Sequence, residues 1–399
     1  LFFKKKLSLN NFKRNALCLL VGFFSQQSLM AQVVEPNTQV NGSQINTIFT
    51  AVPFLLITPD ARAGSMGDAG VAMQPDGNTM SINPAKLVFL DKPYGIGISY
   101  SPWLKNLVPD INLAYLSGFY RIDDRNTIGS SLRYFSLGQI QLTDINQQDL
   151  GVYTPSEFAL DVSLAHKFGD NFSMALSPRF TYSNLTAGQF SAGQQTKAGK
   201  SFSVDVSGYY RKPTVLFGKD AILAFGAYIS NIGTKISYVD GGREQFLPMN
   251  LKLGAASTFI IDDYSQLSIA LDFNKLMVPT QPVRDQNGNI ISGKDPDRSV
   301  PAAIFGSFTD APGGFSEELK EINIATGIEY TYNQQFALRA GYFYESPQKG
   351  NRRYLTLGAG LKYSVFNLDF SYLVANPQKS PLANTLRFSL LFNFGDAKQ

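Results

Sequence analysis

Ser–His chemistry in this chain would have to run through one imidazole. His166 is the sole histidine among 399 residues, and Cys18 is the sole cysteine. A general base needs a nucleophile within hydrogen-bond reach. His166 stands in EFALDVSLAHKF (157–168), on the same alternation as Phe158, Leu160, Val162 and Leu164. It reads as an interfacial residue, not as half of a Ser–His pair. No cluster has metal-ligand spacing. Asp123-Asp124 and Asp262-Asp263 sit in short polar links and read as turn formers, not as a calcium site. Asp295 and Asp297 lack further evident oxygen ligands. The residues point away from an enzyme and imply no cofactor or metal.

The chain's electrostatics are shaped by its first segment. Lys4, Lys5, Lys6, Lys13 and Arg14 precede the apolar run ALCLLVGFF (16–24), and polar residues and then SLMAQ follow. This is the order of a secretory signal peptide, expected to span 1–31 with cleavage after about Ala31. The run is too short to cross a bilayer as a helix. The net charge is +4, and removing these five cations leaves about −1, so nothing suggests nucleic-acid binding. Cys18 leaves with the segment, which excludes disulfides from the mature chain.

The elements that follow alternate with period two, so successive side chains point to opposite faces. Fourteen candidate strands fall at 94–103, 111–120, 127–138, 156–168, 172–183, 201–211, 221–230, 249–260, 266–276, 322–332, 336–345, 353–363, 365–374 and 384–394. The links also alternate. The series 121–126, 169–171, 212–220, 261–265, 333–335 and Ser364 is short, 212–220 being long for its class. The other series includes 139–155, 184–200, 231–248 and 277–321. Short turns at one end and long loops at the other, with an even strand number, predict a closed antiparallel β-barrel of the bacterial outer membrane. In that register Asp161, Arg179, Asp205, Asp272, Glu329, Arg339 and Arg387 face the lumen, while Val162, Ile269 and their like face lipid. Lys275 and Arg353 fall on the oily parity at strand ends, where water is near. Trp103, Tyr209-Tyr210 and Tyr342-Phe343-Tyr344 are expected among the interfacial aromatics.

Residues 32–53 are polar and expected to be flexible. Residues 54–92 are rich in Gly and Pro and too irregular for lipid contact; irregular backbone at membrane depth needs protein or water around it. A lumenal plug meets that need, followed by the barrel over 93–399. The words ARAGSMGDAGVAM and SINPAKLVFL resemble the hatch of FadL-type long-chain fatty acid transporters, whose Asn-Pro-Ala signature corresponds to Asn83, Pro84 and Ala85. That family also shares a fourteen-stranded barrel. ITPDARAGSMGDAG, YSPWLKNLVPDINLAYLSGFY, IGSSLRYFSLGQI, PSEFALDVSLAHKF, NIGTKISY and FLPMNLKLG further resemble the PorV (LptO) family, the FadL-related outer-membrane component of the type IX secretion system.

The resemblance implies a non-enzymatic role. Such proteins receive secreted cargo through its C-terminal signal domain and associate with the SprA (Sov) translocon barrel. They pass cargo to attachment machinery containing PorU, PorZ and PorQ. The competing reading is a FadL-like channel for a hydrophobic small molecule. The connection 277–321 is the expected partner-binding loop, through Val300, Ile304, Phe305 and Phe308 of its apolar run VPAAIFGSF.

Overall fold

In the computed structural model, residues 45–104, 110–143, 148–186, 190–191, 194–375, 382 and 384–395 are described. The expected signal peptide, 1–31, and residues 32–44 lie outside them. Fourteen antiparallel strands close into one barrel. They are β1 Tyr94–Pro102, β2 Ile111–Arg121, β3 Asn126–Leu137, β4 Ser156–Lys167, β5 Phe172–Asn184, β6 Gly199–Leu216 and β7 Lys219–Gly233. The ring continues with β8 Asn250–Ile260, β9 Ser265–Leu276, β10 Ile322–Tyr332, β11 Phe336–Tyr344, β12 Arg353–Tyr363, β13 Phe366–Ala375 and β14 Thr385–Phe394. The seam pairs β1 with β14 from Tyr94↔Phe394 to Tyr100↔Phe388, so no strand edge is left open in the ring. Among the described residues no helix is long and apolar enough to cross a membrane.

Alternation decides which residue faces where. Along β4 the outward Leu160, Val162 and Leu164 are exposed, and the inward Ala159, Asp161, Ser163 and Ala165 are buried. The same rule exposes Ile96 and Ile98 on β1 and Ile269, Leu271 and Phe273 on β9. Aromatic rings gather where strands end. Tyr94 stacks on Phe394, Phe168 meets Phe172, and Tyr264 meets Tyr332.

The links keep the expected parity, and more strictly than expected. Those at one end, 122–125, 168–171, 217–218, 261–264, 333–335 and 364–365, have two to four residues. Asp123 caps its turn by accepting the backbone N–H of Arg125 at 2.7 Å and of Asn126 at 2.8 Å; Asp262 does the same for Tyr264 and Ser265, both at 2.8 Å. Hydrogen bonding holds both carboxyls below their ordinary range, first by Asn126 for Asp123 and by the Tyr264 amide for Asp262.

Several expectations need correction. The link 212–220 is not a loop. β6 and β7 run on past their neighbours to a two-residue turn, Phe217-Gly218, and Arg211–Leu216 pairs only with β7. Trp103 is not an outer anchor. It shares the inward parity of Ser99 and Ser101, packs near Phe54 and Leu113, and lies under the Arg387 guanidinium at 5.8 Å. Tyr209 and Phe343 are also buried inside, whereas Tyr210, Tyr342 and Tyr344 point out. Lys275 does not reach water; the loop after β9 folds over it.

Because the outward face is set by parity, Val162→Arg or Ile269→Arg should each cost about 2–4 kcal/mol of barrel stability at mid-bilayer. Urea unfolding of protein assembled in phospholipid vesicles measures this, with Ser163→Thr on the inner face as the mild control.

Candidate functional site: the filled lumen and the loop crown

Residues 45–93 lie against the inner wall and traverse the lumen. They begin at the long-loop end. There the Asn46 amide donates to the Gln348 carbonyl at 2.8 Å and the Ala51 amide to the Phe246 carbonyl at 2.9 Å. Within the segment 32–53, expected to be flexible, Asn46 and Ala51 thus bond to the loops, and Ala51 and Val52 are buried. The segment ends at the short-turn end, where the Arg121 amide donates to the Pro93 carbonyl at 2.7 Å.

Its local structure is short and capped. Helix α1 (Ala61–Ser65) starts at Asp60, whose Oδ1 accepts the Ala63 amide at 2.8 Å while Oδ2 accepts the Ser81 hydroxyl at 2.8 Å. A 3₁₀ turn over Pro84–Phe89 starts at Asn83, whose Oδ1 accepts the Ala85 amide at 3.1 Å; Pro84 sits where a free N–H would be unpaired anyway. The Asn83 Nδ2 group donates to the Val71 carbonyl at 2.9 Å and to Gly208 of β6 at 3.1 Å. Ala85 donates to Ser207 Oγ at 3.0 Å and accepts from Ser173 Oγ at 2.6 Å. The Asn-Pro-Ala triplet thus sits where the segment is tied to β5 and β6.

The lumenal charges form two networks and two smaller contacts. Arg62 forks onto Glu329 of β10, at 2.9 Å and 2.7 Å, and reaches Asp76 at 3.1 Å. Glu329 also accepts from Arg339 at 2.6 Å, and Arg339 reaches Asp369 at 2.6 Å. On the opposite strands Arg179 sits between Asp161 and Asp205, the latter at 2.8 Å. Asp272 Oδ2 accepts the amides of Gly70 and Val71 at 2.7 Å and 2.9 Å, and Arg387 meets Asp68 at 2.9 Å. All seven lumenal residues expected from sequence are buried inside, and Asp272, Glu329 and Arg387 bond the inner segment directly.

Sequence reasoning missed the wall glycines. A Cβ on Gly341 would stand 2.1 Å from the Gly67 nitrogen, and one on Gly226 2.3 Å from the Val71 carbonyl oxygen. Bare backbone on β7 and β11 lets the segment lie flush. The signal lay in the sequence as Gly226 paired to Gly254 and Gly327 paired to Gly341 across neighbouring strands, visible only once the register is known.

At the loop end a cavity of about 390 Å³ is lined by Leu56, Ile57, Trp103, Tyr354 and Leu373, with Arg387 at its floor. Within the segment the space bounded by Asp60, Arg62, Met66 and Lys86 is about 20 Å³, room for about one water. At the turn end a cavity of about 550 Å³ opens between Gln74–Gly77, Val88–Lys92 and the strand ends.

The connection 277–321 is a built structure, not an open loop. Helix α2 (Val300–Gly306) turns the apolar run so that Val300 and Ile304 pack on Met249, Met277 and Val278. Phe305 and Phe308 point away, 80% and 43% exposed, and Phe315 at the start of helix α3 (Phe315–Lys320) is 76% exposed. An ionic knot fastens the loop to the rim. Lys275 reaches Glu318 at 2.9 Å and Glu321 at 2.6 Å; Lys349 reaches Glu317 at 2.6 Å and Glu321 at 2.9 Å. Arg298 meets Asp310 at 3.0 Å. Burial pushes the Asp310 carboxyl up to about 6, against the pull of Arg298.

A sealed membrane cylinder filled by its own amino-terminal segment and crowned by an ordered loop defines a class, the outer-membrane β-barrel with an occupied lumen. The model of the family described as "Type IX secretion system protein PorV" matches residues 39–283, and the chain belongs to that family. No curated protein matches the sequence. Among solved structures, the toluene transporter TodX of P. putida aligns at 11% identity over 85% of this chain and 98% of its own, with a TM-score of 0.51. A Pseudomonas aeruginosa FadL homologue aligns at 12% identity over 88% of this chain and 100% of its own, with a TM-score of 0.44. The toluene transporter TbuX of Ralstonia pickettii aligns at 13% over 84% and 98%, also at 0.44. The likeness to TodX is one of fold. The protein is an outer-membrane component of type IX secretion, so the turn end faces the periplasm and the loop end the exterior.

Replacing Arg62 by Met breaks a buried ion pair, which costs about 3 kcal/mol or more; Asn83→Ala leaves two buried carbonyls short of a donor at about 1–3 kcal/mol. Both variants should show ion-conducting openings in planar bilayers where the unaltered protein stays closed. The raised Asp310 pKa means that the ordered loop binds a proton which the unfolded loop takes up only near 3.8. Loop order should therefore strengthen as pH falls from about 6 towards 4. Hydrogen exchange over 300–320 would follow this, and Asp310→Asn should flatten the dependence.

Proposed function

We propose that this chain is a non-enzymatic carrier barrel of type IX secretion. It binds the C-terminal signal domain of secreted cargo, associates with a SprA/Sov-type translocon barrel and passes cargo to PorU, PorZ and PorQ-type attachment proteins. Residues 54–92 act as its plug, and the Asn83-Pro84-Ala85 signature pins that plug to the wall. The single observation that carries the reading is the fixed loop crown. The knot of Lys275, Lys349, Glu317, Glu318 and Glu321 fastens the connection 277–321 to the rim, and it leaves Phe305 and Phe315 in water, with Phe308 half-exposed beside the Lys275 ammonium. Exposed aromatic rings on an ordered scaffold are the usual anchors of protein interfaces, because little side-chain entropy is lost when they dock. The translocon, the cargo signal or both would take them up.

A second reading rests on the cavity at the loop end, whose wall carries Leu56, Ile57, Trp103 and Leu373 beside charged Asp68, Arg352 and Arg387: a hydrophobic small molecule would enter there, and TodX, similar in fold, is named as a toluene transporter. The bonded and closely packed inner segment argues against passage through the lumen without its displacement.

The triple variant Phe305→Ser, Phe308→Ser, Phe315→Ser should lower co-purification of translocon and cargo from solubilised outer membranes at least tenfold. The barrel should still assemble, and secretion should fall. Normal partner recovery and secretion would sink the carrier reading, and partner-independent uptake of an aromatic hydrocarbon would favour the channel.

A further inference from the structure

The periplasmic cavity has an electrostatic character that neither the plug nor the loop crown explains. Lys92, Arg121, Lys167, Arg211 and Lys362 line it, against Asp76, Asp91 and Asp124. The adjoining space of about 300 Å³ adds Arg62 and Arg339, which are matched by Glu329 and Asp369. The combined vestibule therefore keeps two positive charges in surplus. Asp76 is already engaged by Arg62, which draws its charge away from the rim.

The cations are also arranged. The Arg211 guanidinium lies 4.4 Å from the centre of the Phe89 ring, and the Lys167 ammonium 5.6 Å from the same centre. Arg121 donates to the Leu90 carbonyl, and Lys92 donates to the Gly395 carbonyl at 2.8 Å. Ring and carbonyls hold Arg121, Arg211 and Lys92 in place without neutralising them, whereas Lys167 also meets the fully exposed Asp170, outside the cavity lining, at 3.7 Å. Phe89 itself is buried, so the platform under two of the cations is rigid. Like charges held together around a concave space repel one another, and an anion between them relieves that repulsion.

We propose that this vestibule is a binding site for a phosphate-bearing ligand presented from the periplasm. A phosphate monoester carries about −1.5 to −2 charge, which answers this net positive lining more fully than one carboxylate does. The guanidinium forks of Arg121 and Arg211 suit the tetrahedral oxygens, and the lysines supply point charges around them. The phosphate is either free or borne on a lipid headgroup; the chemistry that recognises it is the same.

Isothermal titration of the full-length barrel in neutral detergent, with inorganic phosphate and separately with dihexanoyl phosphatidic acid, tests this. The expected result is saturable binding of one phosphate group per barrel, weakened at least tenfold in Arg211→Gln/Lys362→Gln. Retention of inorganic phosphate points to a soluble source, and binding of the phosphatidic acid alone to a lipid headgroup; both support the site. Lys92→Gln/Lys362→Gln spares the ring platform and repeats the test should the first variant fail to assemble. Binding that neither double variant weakens, no saturable binding of either probe, or a short poly-glutamate peptide that outcompetes phosphate would overturn the proposal. None of these readouts depends on secretion, so the carrier reading stands or falls separately.

Discussion

Everything in this molecule depends on the pairing of β1 with β14. A backbone N–H or C=O facing hydrocarbon without a partner costs several kcal/mol, and an open edge would present a row of them. The seam from Tyr94↔Phe394 to Tyr100↔Phe388 removes that row. Once the ring is closed, the dyad alternation becomes a division of solvents. One parity is solvated by acyl chains and the other faces a narrow interior, which must be filled with water, side chains or chain.

This protein fills it with chain, and the filling is electrostatic as much as steric. Arg62, Glu329, Arg339, Asp369 and Asp76 form a connected set in which the buried guanidinium groups each meet more than one carboxylate. Such sets are strong evidence of a fixed geometry and weaker evidence of stability, because desolvation offsets much of the Coulomb gain. The glycines at 226 and 341 make the same point without charge: their missing Cβ atoms are the space in which Val71 and Gly67 lie.

Much of this was legible in the sequence. Strand positions, the inward register of the charges and the end carrying long loops all follow from period two and link length. What was not legible has physical reasons. Lys212, Pro213 and Thr214 read as a loop, yet a hairpin that outruns its neighbours has free edges, where Pro does no harm. Trp103 was read by type when its parity already placed it inside. The stretch 45–53, INTIFTAVP, is more apolar than the residues before it; Ala51 and Val52 are buried, Ile48 packs under the loop crown, and two backbone bonds add to that. The run VPAAIFGSF gave too few residues to separate strand from helix, and only the helix splits it into a buried edge and an exposed one.

The path of residues 45–93 carries a topological consequence. The chain bonds to the exterior loops near Asn46 and Ala51, descends the interior, and only then begins its first strand at the opposite mouth. Both early and late strands of the ring touch this internal thread, through Arg133 of β3 to Leu55 and through Arg387 of β14 to Asp68. A finished cylinder would offer no easy way in for it. The thread is covalently joined to the ring only where β1 begins, so the same polypeptide is both the wall and its contents, and the only covalent hinge between the two lies at the turn-end mouth.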